Sequence, residues 1–457
     1  MESFDLIVIG SGPAGYVAAI RGAQEGMKTA IVEKYATLGG TCLNVGCIPS
    51  KALLHFSSLY DTMNHSREFG ISADHLLLDF NAMQQHKSRA VQKLVQGIDF
   101  LMRKNKITKI SGTATFTSKT TLVVGKETYS ARHFIIATGS KPVPLPFLPL
   151  DEEKIVSSTG ALSLREVPKK LIVIGAGVIG LELGTVYRRL GSEVEIIEFQ
   201  DRILPEFDAS ISSTYLKILQ KSGIKMHLST KVTGGGRNGE GIRIEAEGGK
   251  TFTGDICLIA IGRRPFIEGL GLETAGIVPD SRGFIPVDAN FRTSEPYIFA
   301  IGDVIGGPML AHKGSFEAKA LIALLAGRPV PLHYATIPNV VYTDPEIATC
   351  GFTESALREK GVAYRVSEFP FLGNSRYGAI LGTDPCFVKI LAESKTGRIL
   401  GAHVIAPHAS DIIMEAVLAM QNNITAQAIA HTIHAHPTFS EAFFEAALGI
   451  DSNFIHL

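Results

Sequence analysis

The sequence predicts an α/β protein in which one strand–turn–helix–strand unit occurs twice and a smaller α+β region follows. Three observations support this fold class. Residues 4–33 and 170–198 contain the same order of apolar runs and glycines. The first glycine and the closing glutamate are 23 positions apart in both copies, from 10 to 33 and from 175 to 198. After about residue 335, strand-like and helix-like stretches follow each other in a different arrangement.

Length, composition and charge exclude several classes of protein. The chain has 457 residues, is 45% hydrophobic and has zero formal net charge. The absence of a Lys/Arg block argues against a nucleic-acid surface or a polybasic membrane anchor. The longest run of apolar residues and glycines, Leu171 to Leu181, is too short to span a bilayer. No basic segment precedes the apolar run that begins at Phe4, so we expect no targeting peptide and a soluble cytoplasmic protein.

The first repeat predicts a phosphate-binding turn between two buried strands. The run FDLIVIG is typical of a parallel strand, and KTAIVE forms a second strand that ends at Glu33. Between them, Gly10 allows a tight turn, Gly12 lets the backbone approach a pyrophosphate, and Gly15 lets helix and strand pack closely. The helix N-terminus offers N–H groups to phosphate, and the carboxylate of Glu33 can accept hydrogen bonds from a ribose.

The second repeat has the same context, with Gly175, Gly177 and Gly180 in the turn and Glu198 closing the second strand. One such motif is weak evidence, but two copies in register indicate two Rossmann-like dinucleotide-binding units. Two dinucleotides in one chain suggest electron transfer between them. The carboxylate of Glu198 favours NAD over NADP because it repels a 2′-phosphate, and Arg202 works against that preference.

Three further stretches run an apolar strand into a glycine: residues 134–140, 258–265 and 298–303. The last one ends at Asp303, at the edge where open α/β sheets bind ligands. The glycine-rich segment 233–241 is interpreted as a flexible surface loop without function.

The segment GGTCLNVGCIPSK directly follows the first repeat and contains Cys42 and Cys47. A zinc site would need two further close-set ligands, whereas Cys257, Cys350 and Cys386 stand singly in strand-like contexts and are interpreted as small buried residues. Two inert buried thiols are a further alternative. A redox pair fits better, because the residues after Cys47 look helical and a helix N-terminus lowers the pKa of a thiol.

Several motifs together resemble the flavin-dependent pyridine nucleotide-disulfide oxidoreductases. They occur in order over nearly the whole chain, as Gly10–Gly15, GGTCLNVGCIPSK, ATGS, GAGVIGLELG, IFAIGD and IHAHPTFSE. Within the family, the similarity is greatest to the branch that oxidises dihydrolipoamide as the E3 component of 2-oxo acid dehydrogenase complexes. The resemblance implies FAD in the first repeat, NAD in the second and a redox-active disulfide against the flavin. It also implies a homodimer and, as partners, lipoyl domains and the E2 core.

The resemblance also implies a division of the chain into four segments. These are an FAD-binding domain (first part, 1–145), an NAD-binding domain (146–270), a central part of the FAD-binding domain (271–335) and a C-terminal dimerisation domain (336–457).

Roles carry over to matching positions. Cys42 resembles the interchange thiol that forms a mixed disulfide with the substrate, and Cys47 resembles the thiol beside the flavin that gives a charge-transfer complex. Lys51 resembles the lysine near flavin N5, paired with a glutamate at the position of Glu182. A cation there stabilises the negative charge of reduced flavin, whereas a plain surface lysine is the alternative.

The remaining matches are cofactor contacts, among which Asp303 is expected to accept a hydrogen bond from the FAD ribityl chain. The FAD contacts implied are Gly10, Gly12, Gly15, Glu33, Lys34, Gly40, Thr41, Lys51, Gly112, Thr138, Gly139, Asp303 and Ala311. The NAD contacts implied are Gly175, Gly177, Val178, Ile179, Gly180, Glu198, Val232, Ala260, Gly262 and Arg263.

His436 resembles the catalytic base, oriented by Glu441. A base is needed because dihydrolipoamide thiols ionise well above neutral pH and only thiolates attack disulfides. A histidine–carboxylate pair can supply general-base catalysis near pH 7. His434 is the competing candidate, and His436 is preferred because it directly precedes Pro437, as in the family. There this histidine reaches the other subunit's cysteines, so the active site would need a dimer.

Two other classes of function remain as alternatives. One is a related enzyme. Mercuric reductases carry a C-terminal cysteine pair, which the ending DSNFIHL lacks, and glutathione-type enzymes use NADP, against which Glu198 argues. The other is a mainly structural subunit of a larger complex, which would not need Cys42, Cys47, His436 and Glu441 together.

Overall fold

The structure is a computed structural model that describes residues 1–73 and 75–457, and three larger sheets organise this part of the chain. Each of the two repeats supplies the centre of one sheet, and the region after residue 335 supplies the third. The predicted fold class, two Rossmann-like units with a C-terminal α+β unit, is therefore confirmed. None of the helices in the described residues is long and apolar enough to cross a membrane.

The first sheet is built around the first repeat. Its strands are β1 (Glu2–Ile9), β2 (Thr29–Glu33), β3 (Thr108–Ser111), β4 (Ala114–Ser118), β5 (Thr121–Val124), β6 (Glu127–Ile136) and β17 (Ile298–Ala300). They follow the order β3-β2-β1-β6-β5-β4, and β17 also pairs with β6. The strands β3, β2, β1 and β6 pair with one another in parallel, and β17 pairs in parallel with β6, so their carboxyl ends meet at one edge. The strands β5 and β4 continue the sheet in antiparallel order.

Helices cover the sheet of the first unit, because the small and apolar residues of these helices pack on the buried strands. The helices of the first unit are α1 (Pro13–Gln24), α2 (Gly40–Val45), α3 (Cys47–Asn64), α4 (Phe80–Lys104) and α8 (Ala311–Leu325). Helix α1 begins with a proline, whose fixed φ suits a first helical position. All residues of β2 are buried, as expected for a strand covered on both faces.

The second sheet is parallel and repeats the same arrangement. Its strands, in the order β11-β10-β9-β15-β8, are β8 (Ile155–Val156), β9 (Lys170–Ile174), β10 (Glu193–Ile197), β11 (Lys225–His227) and β15 (Ile256–Ile259). Its helices are α5 (Ser158–Ala161), α6 (Val178–Arg189) and α7 (Ala209–Lys221). Short antiparallel strands β7 (Ser140–Pro142) and β16 (Arg263–Pro265) pair between the two units.

The interpretation of residues 233–241 as a flexible loop is wrong. Most of the segment lies in β12 (Val232–Asn238), which pairs with β13 (Gly241–Ala246), and β13 pairs with β14 (Lys250–Gly254) in a three-stranded antiparallel sheet. The backbone ladder holds β12, while Ile242 and Ile244 on β13 are buried. Glycine content alone therefore misled the prediction.

The third sheet is antiparallel, in the order β18-β19-β22-β21-β20. Its strands are β18 (Asn339–Val341), β19 (Glu346–Gly351), β20 (Tyr364–Pro370), β21 (Phe387–Glu393) and β22 (Ile399–Ala406). Its helices are α9 (Glu354–Glu359), α10 (Ser375–Ala379), α11 (Ala409–Gln421), α12 (Ala426–Ala430) and α13 (Glu441–Leu448). One apolar core is continuous from this sheet to the α6 side of the second sheet, and it includes Leu53 and Leu54 of α3.

Candidate active site

A cavity of about 1690 Å³ is lined by both glycine-containing turns. The first turn contributes Gly10 and Gly12, and the second contributes Gly175 and Gly177. The cavity therefore extends over the carboxyl ends of the strands in both repeats, where α/β sheets bind ligands.

The two turns have matching geometry. Gly10 and Gly175 have φ values of 98° and 106°, which favour glycine, and a Cβ on either would lie 2.5 Å from the carbonyl oxygen of Ala137 or Ala260. In contrast, a Cβ at the second glycine of either turn would meet nothing within 4 Å. The backbone at the second glycine is thus open to the cavity, as a bound pyrophosphate requires.

The closing glutamates brace these turns. Glu33 accepts hydrogen bonds from the backbone N–H and the hydroxyl of Ser11, at 3.0 and 2.6 Å. Glu198 accepts from the backbone N–H groups of Ala176 and Gln200, both at 2.7 Å. Each carboxylate also lines the cavity and keeps acceptor sites free for the ribose contact that the sequence predicts. Sequence reasoning missed the bracing, although Ser11 lies inside the motif.

Most predicted cofactor contacts line this one cavity. They are Gly10, Gly12, Glu33, Lys34, Gly40, Thr41, Lys51, Gly112, Thr138, Gly139, Asp303, Ala311, Gly175, Gly177, Val178, Ile179, Glu198, Val232, Ala260, Gly262 and Arg263. Gly15 and Gly180 do not line it. A Cβ on them would lie 1.9 and 2.1 Å from the carbonyl oxygens of Gly10 and Gly175, so they allow each helix to pack against its own turn.

Cys42 and Cys47 form a disulfide on the wall of the cavity. Their Cα atoms are 4.7 Å apart. Cys42 lies on α2, and Cys47 is the first residue of α3, which has 18 residues. The predicted redox pair is therefore present, and Cys47 has the helix N-terminal position at which the N–H groups of the first turn stabilise a thiolate.

Lys51 lies one helical turn after Cys47 and forms an ion pair with Glu182 of α6. The Nζ atom is 2.9 Å from Oε2 and 3.1 Å from Oε1 of Glu182. The carboxylate is buried and also accepts the backbone N–H of Tyr342 at 3.0 Å, and the Lys51 Nζ lies 4.5 Å from the centroid of the Tyr342 ring. The surface-lysine alternative does not fit these contacts. Sequence reasoning missed Tyr342.

Asp303 follows β17 and faces the cavity, where it accepts a hydrogen bond from the hydroxyl of Ser140 at 2.5 Å. Arg263 donates to the same hydroxyl at 2.7 Å and to the Ser140 backbone carbonyl at 2.7 Å. Arg263, expected to contact NAD, thus lies beside the aspartate expected to bind FAD. Ser140 was not singled out, although it ends the ATGS motif.

His436 and Glu441 are paired, as the resemblance implies. The Nδ1 of His436 is 2.8 Å from Oε1 of Glu441, and Oε2 accepts the backbone N–H of Thr438 at 2.7 Å. The His436 side chain is 66% exposed and, within the described part of the chain, makes no hydrogen bond through Nε2. It does not line the cavity that contains the disulfide. This imidazole is therefore oriented by a carboxylate and open to a partner outside its own chain.

His434, the competing candidate, has a different environment. Its side chain is 9% exposed, and its Nε2 lies 3.0 Å from Oε1 of Glu415 on α11. An imidazole with both nitrogens engaged is a poor general base. Glu415 was missed because nothing in its local sequence marks it.

The three remaining cysteines are buried, as predicted. Burial raises the pKa of Cys257, Cys350 and Cys386 to about 12 in each case. These thiols are therefore protonated and unreactive near neutral pH.

Comparison with known families agrees with this geometry. A family model described as pyridine nucleotide-disulphide oxidoreductase matches residues 4–318. The dimerisation domain of the same family matches residues 337–447. The fold and the site thus define a flavoprotein disulfide oxidoreductase with a dimerisation domain, which uses FAD and NAD. The chain belongs to the pyridine nucleotide-disulphide oxidoreductase family.

Named relatives narrow the comparison. The mitochondrial dihydrolipoyl dehydrogenase of Pisum sativum is 47% identical, covering 99% of this chain and 92% of the relative. The leghemoglobin reductase of Glycine max is also 47% identical, covering 97% and 87%. Among solved structures, LpdA from Mycobacterium tuberculosis superimposes with a TM-score of 0.91 at 27% identity, covering 98% of this chain and 99% of that one.

Proposed function

We propose that this chain catalyses the dihydrolipoyl dehydrogenase reaction, in which dihydrolipoamide and NAD⁺ give lipoamide, NADH and a proton. The observation that carries the proposal is the disulfide on the wall of the cavity that both dinucleotide turns line. In this arrangement, a disulfide that a substrate thiolate can attack lies beside both dinucleotide-binding turns. The identity to dihydrolipoyl dehydrogenases over nearly the full chain supports the choice of substrate.

The chemistry at the cysteines is thiol–disulfide exchange. A dihydrolipoamide thiolate attacks the Sγ of Cys42, the Cys42–Cys47 bond breaks, and Cys47 leaves as a thiolate stabilised by the N-terminus of α3. The second substrate thiolate then attacks the substrate sulfur of the mixed disulfide. Lipoamide leaves as a cyclic disulfide, and Cys42 is left reduced.

Each attack needs a proton acceptor, and we assign this role to His436. Its free Nε2 takes the proton from the substrate thiol, while Glu441 holds Nδ1–H and stabilises the imidazolium that forms. Because His436 is exposed and lies outside the cavity of its own chain, it serves the disulfide of a second subunit. The dimerisation domain fits that requirement.

The residues around the cavity fit FAD and NAD. The open backbone at Gly12 and Gly177 would accommodate the two pyrophosphates. Asp303 would accept a hydrogen bond from the ribityl chain, and Glu198 would accept one from the NAD ribose. Bound FAD would supply the two-electron chemistry that links the Cys42–Cys47 dithiol to NAD⁺. Lys51, held by Glu182, supplies positive charge near the reacting part of the cavity.

The four-segment division of the chain belongs to the same proposal. Residues 1–145 and 271–335 form the FAD-binding domain, a division that the pairing of β17 with β6 supports. Residues 146–270 form the NAD-binding domain and residues 336–457 the dimerisation domain. We further propose that lipoyl domains and an E2 core are the partners. A cytoplasmic location is also proposed, although the plant relative is named as mitochondrial; cell fractionation tests it.

Replacing Cys42 with Ser tests the proposed function. Cys42→Ser should retain bound FAD and lose lipoamide turnover, because the attacked sulfur is gone while the glycine turns are intact. The measurements are flavin absorbance and NADH-dependent lipoamide reduction, with glutathione disulfide as the alternative substrate. Substantial lipoamide reduction by this variant, or a wild-type preference for glutathione disulfide, would overturn the proposal.

A further inference from the structure

The imidazole of His434 is placed between two hydrogen-bond acceptors. Its Nδ1 is 2.9 Å from the carbonyl oxygen of Thr432, and its Nε2 is 3.0 Å from a carboxylate oxygen of Glu415. The ring of Phe444 on α13 packs beside it with the centroids 5.6 Å apart. His434 is therefore fixed between α11, α13 and its own loop.

The number of protons decides whether both contacts are hydrogen bonds. A neutral imidazole has one N–H and one lone pair, whereas a carbonyl and an ionised carboxylate only accept. With neutral His434 and ionised Glu415, one contact brings two lone pairs together. Both hydrogen bonds form when the pair holds one more proton, either as imidazolium with carboxylate or as imidazole with carboxylic acid.

The surroundings favour that additional proton. Burial raises the pKa of Glu415, and the nearby His434 charge opposes the increase only in part. The groups that face the imidazole are the carboxylate of Glu415 from α11, the apolar ring of Phe444 from α13 and the Thr432 carbonyl from the loop. Within the described residues, no other ionisable group acts on Glu415.

His436 is carried by the same loop, two residues after His434. Glu415 anchors the loop on one side, and Glu441 orients the imidazole of His436 on the other. We propose that His434 is a positioning residue and that the proton it shares with Glu415 holds the loop so that His436 can accept a proton from the substrate thiol. The inference rests on the proposed function and adds a regulation of its site.

The direction of the pH effect follows from the proton count. The shared proton is present at lower pH and is lost as the pH rises. Its loss turns one hydrogen bond into a repulsive contact and loosens the loop. Dihydrolipoamide oxidation should then decline on the alkaline side, while reduction of the flavin by NADH, which does not use the loop, should be unaffected.

Glu415→Gln removes the need for the shared proton and keeps both hydrogen bonds of His434. The amide of the new side chain donates to Nε2 while Nδ1–H donates to Thr432, so both hydrogen bonds form with a neutral imidazole. At neutral pH we expect a thiol half-reaction within about twofold of wild type. The alkaline decline should move upward by about one pH unit or more. His434→Gln provides a second test, because its amide can donate to Glu415 at every pH, and the alkaline decline should also move upward.

Removing the anchor has a different effect. His434→Phe fills a similar volume without hydrogen bonds and should slow the thiol half-reaction about 10- to 100-fold at all pH values, through misplacement of His436. Half-reactions of the FAD-containing holoenzyme are followed by stopped-flow absorbance from pH 6 to 10.

Each outcome has one meaning. If the thiol half-reaction of Glu415→Gln and His434→Gln declines at the same alkaline pH as that of wild type, the shared proton is overturned. The same holds if these variants are slowed equally at every pH. A wild-type protein that fails to oxidise dihydrolipoamide at any pH overturns the proposed function instead. Equal slowing of both half-reactions in His434→Phe would assign His434 to the fold.

Discussion

The carboxylate of Glu198 is fixed by its own turn before any cofactor binds. Both of its oxygens accept backbone N–H groups at 2.7 Å, and the side chain is buried at the cavity wall. Each oxygen retains a lone pair for a ribose hydroxyl, because a carboxylate has about four acceptor sites. Under the proposed function, the turn presents a rigid negative charge at the ribose of the nucleotide, where NADP would carry its 2′-phosphate.

Glu198→Ala should weaken NAD binding by about 1–2 kcal/mol, the worth of hydrogen bonds to a charged group. The difference in kcat/KM between NADH and NADPH should also become smaller, because the charge that repels the 2′-phosphate is removed. The measurement is kcat/KM for both nucleotides, with Glu240→Ala in the exposed β12–β13 turn as the control. A wild-type enzyme that is faster with NADPH would mean that the second repeat has been misinterpreted.

His436→Gln should slow the thiol half-reaction by about 10²–10⁴-fold, because it removes the proton acceptor. Reduction of the flavin by NADH should proceed at nearly the wild-type rate. Glu441→Gln should give a milder form of the same pattern, since the amide still contacts Nδ1. Stopped-flow measurement of each half-reaction checks this. Full activity in His436→Gln together with loss in His434→Gln would move the base to His434.

The sequence predicted the side chains that we propose to react, but not the ones that hold them in place. Cys42, Cys47 and His436 belong to short motifs with a chemical meaning, so they could be predicted. Glu415 and Tyr342 make their contacts through tertiary packing with residues on other elements, 19 and 160 positions away, and no local pattern marks them. Partner choice of this kind is set by the fold.

At the scale of elements, α4 connects the first unit to the second through a buried lysine and a neighbouring glutamine. Lys87 donates to the backbone carbonyl of Leu162, which follows α5, and to the side chain of Gln84, both at 2.6 Å. Gln84 in turn donates to the carbonyl of Leu164 at 3.2 Å. Burial lowers the pKa of Lys87. The two units thus meet through backbone carbonyls that a sequence pattern cannot reveal.

Lys87→Met should lower stability by about 1–3 kcal/mol, because a buried carbonyl and an amide oxygen lose their donor. The change should appear as a lower thermal midpoint of the holoenzyme. Lys93→Met, at an exposed position of the same helix, is the matched control. An unchanged or higher midpoint for Lys87→Met would mean that the cost of desolvating the ammonium group offsets its hydrogen bonds.

The strands and helices of the repeats were predictable because the order of apolar runs and the spacing of the glycines agree in both copies. The glycine-rich strand β12 was not predictable, because it is stabilised by pairing with β13. The buried side chains belong to β13, so the composition of β12 does not indicate a strand. Local composition predicts an element well only where the element's own side chains provide its packing.

At the scale of the whole molecule, a buried charge cluster joins the second unit to the third sheet. Lys389 of β21 contacts Asp208, which caps α7, at 2.9 Å and Glu354 of α9 at 2.7 Å. Burial would lower the pKa of Lys389, but these two carboxylates raise it. His403, fully buried beside Asp208, donates Nε2–H to the carbonyl of Phe352 and has the hydroxyl of Thr349 at Nδ1. These partners suit a neutral imidazole.

The protein should lose stability in mild acid through His403. Burial lowers the pKa of His403 from its ordinary value of 6.5 to about 4. Below pH 6.5 His403 binds a proton in the unfolded chain, whereas in the folded chain it binds one only below about pH 4. The free energy of unfolding therefore falls between these pH values by on the order of 3 kcal/mol. The thermal midpoint measured from pH 7 to 4 should have a shallower slope in His403→Gln. Equal slopes would place the acid-sensitive group elsewhere.

The strand β17 has a consequence for how the protein is made. The first sheet pairs β6, which ends at Ile136, with Ile298–Ala300, so the second sheet is synthesised before the first is complete. At roughly 5–20 residues per second, the ribosome needs on the order of 10–30 s for the intervening segment. During that interval the nascent chain presents an open sheet edge and lacks Asp303. If Asp303 binds FAD as proposed, cofactor loading follows emergence of this late segment, and chaperones have a defined period in which to protect the unfinished edge.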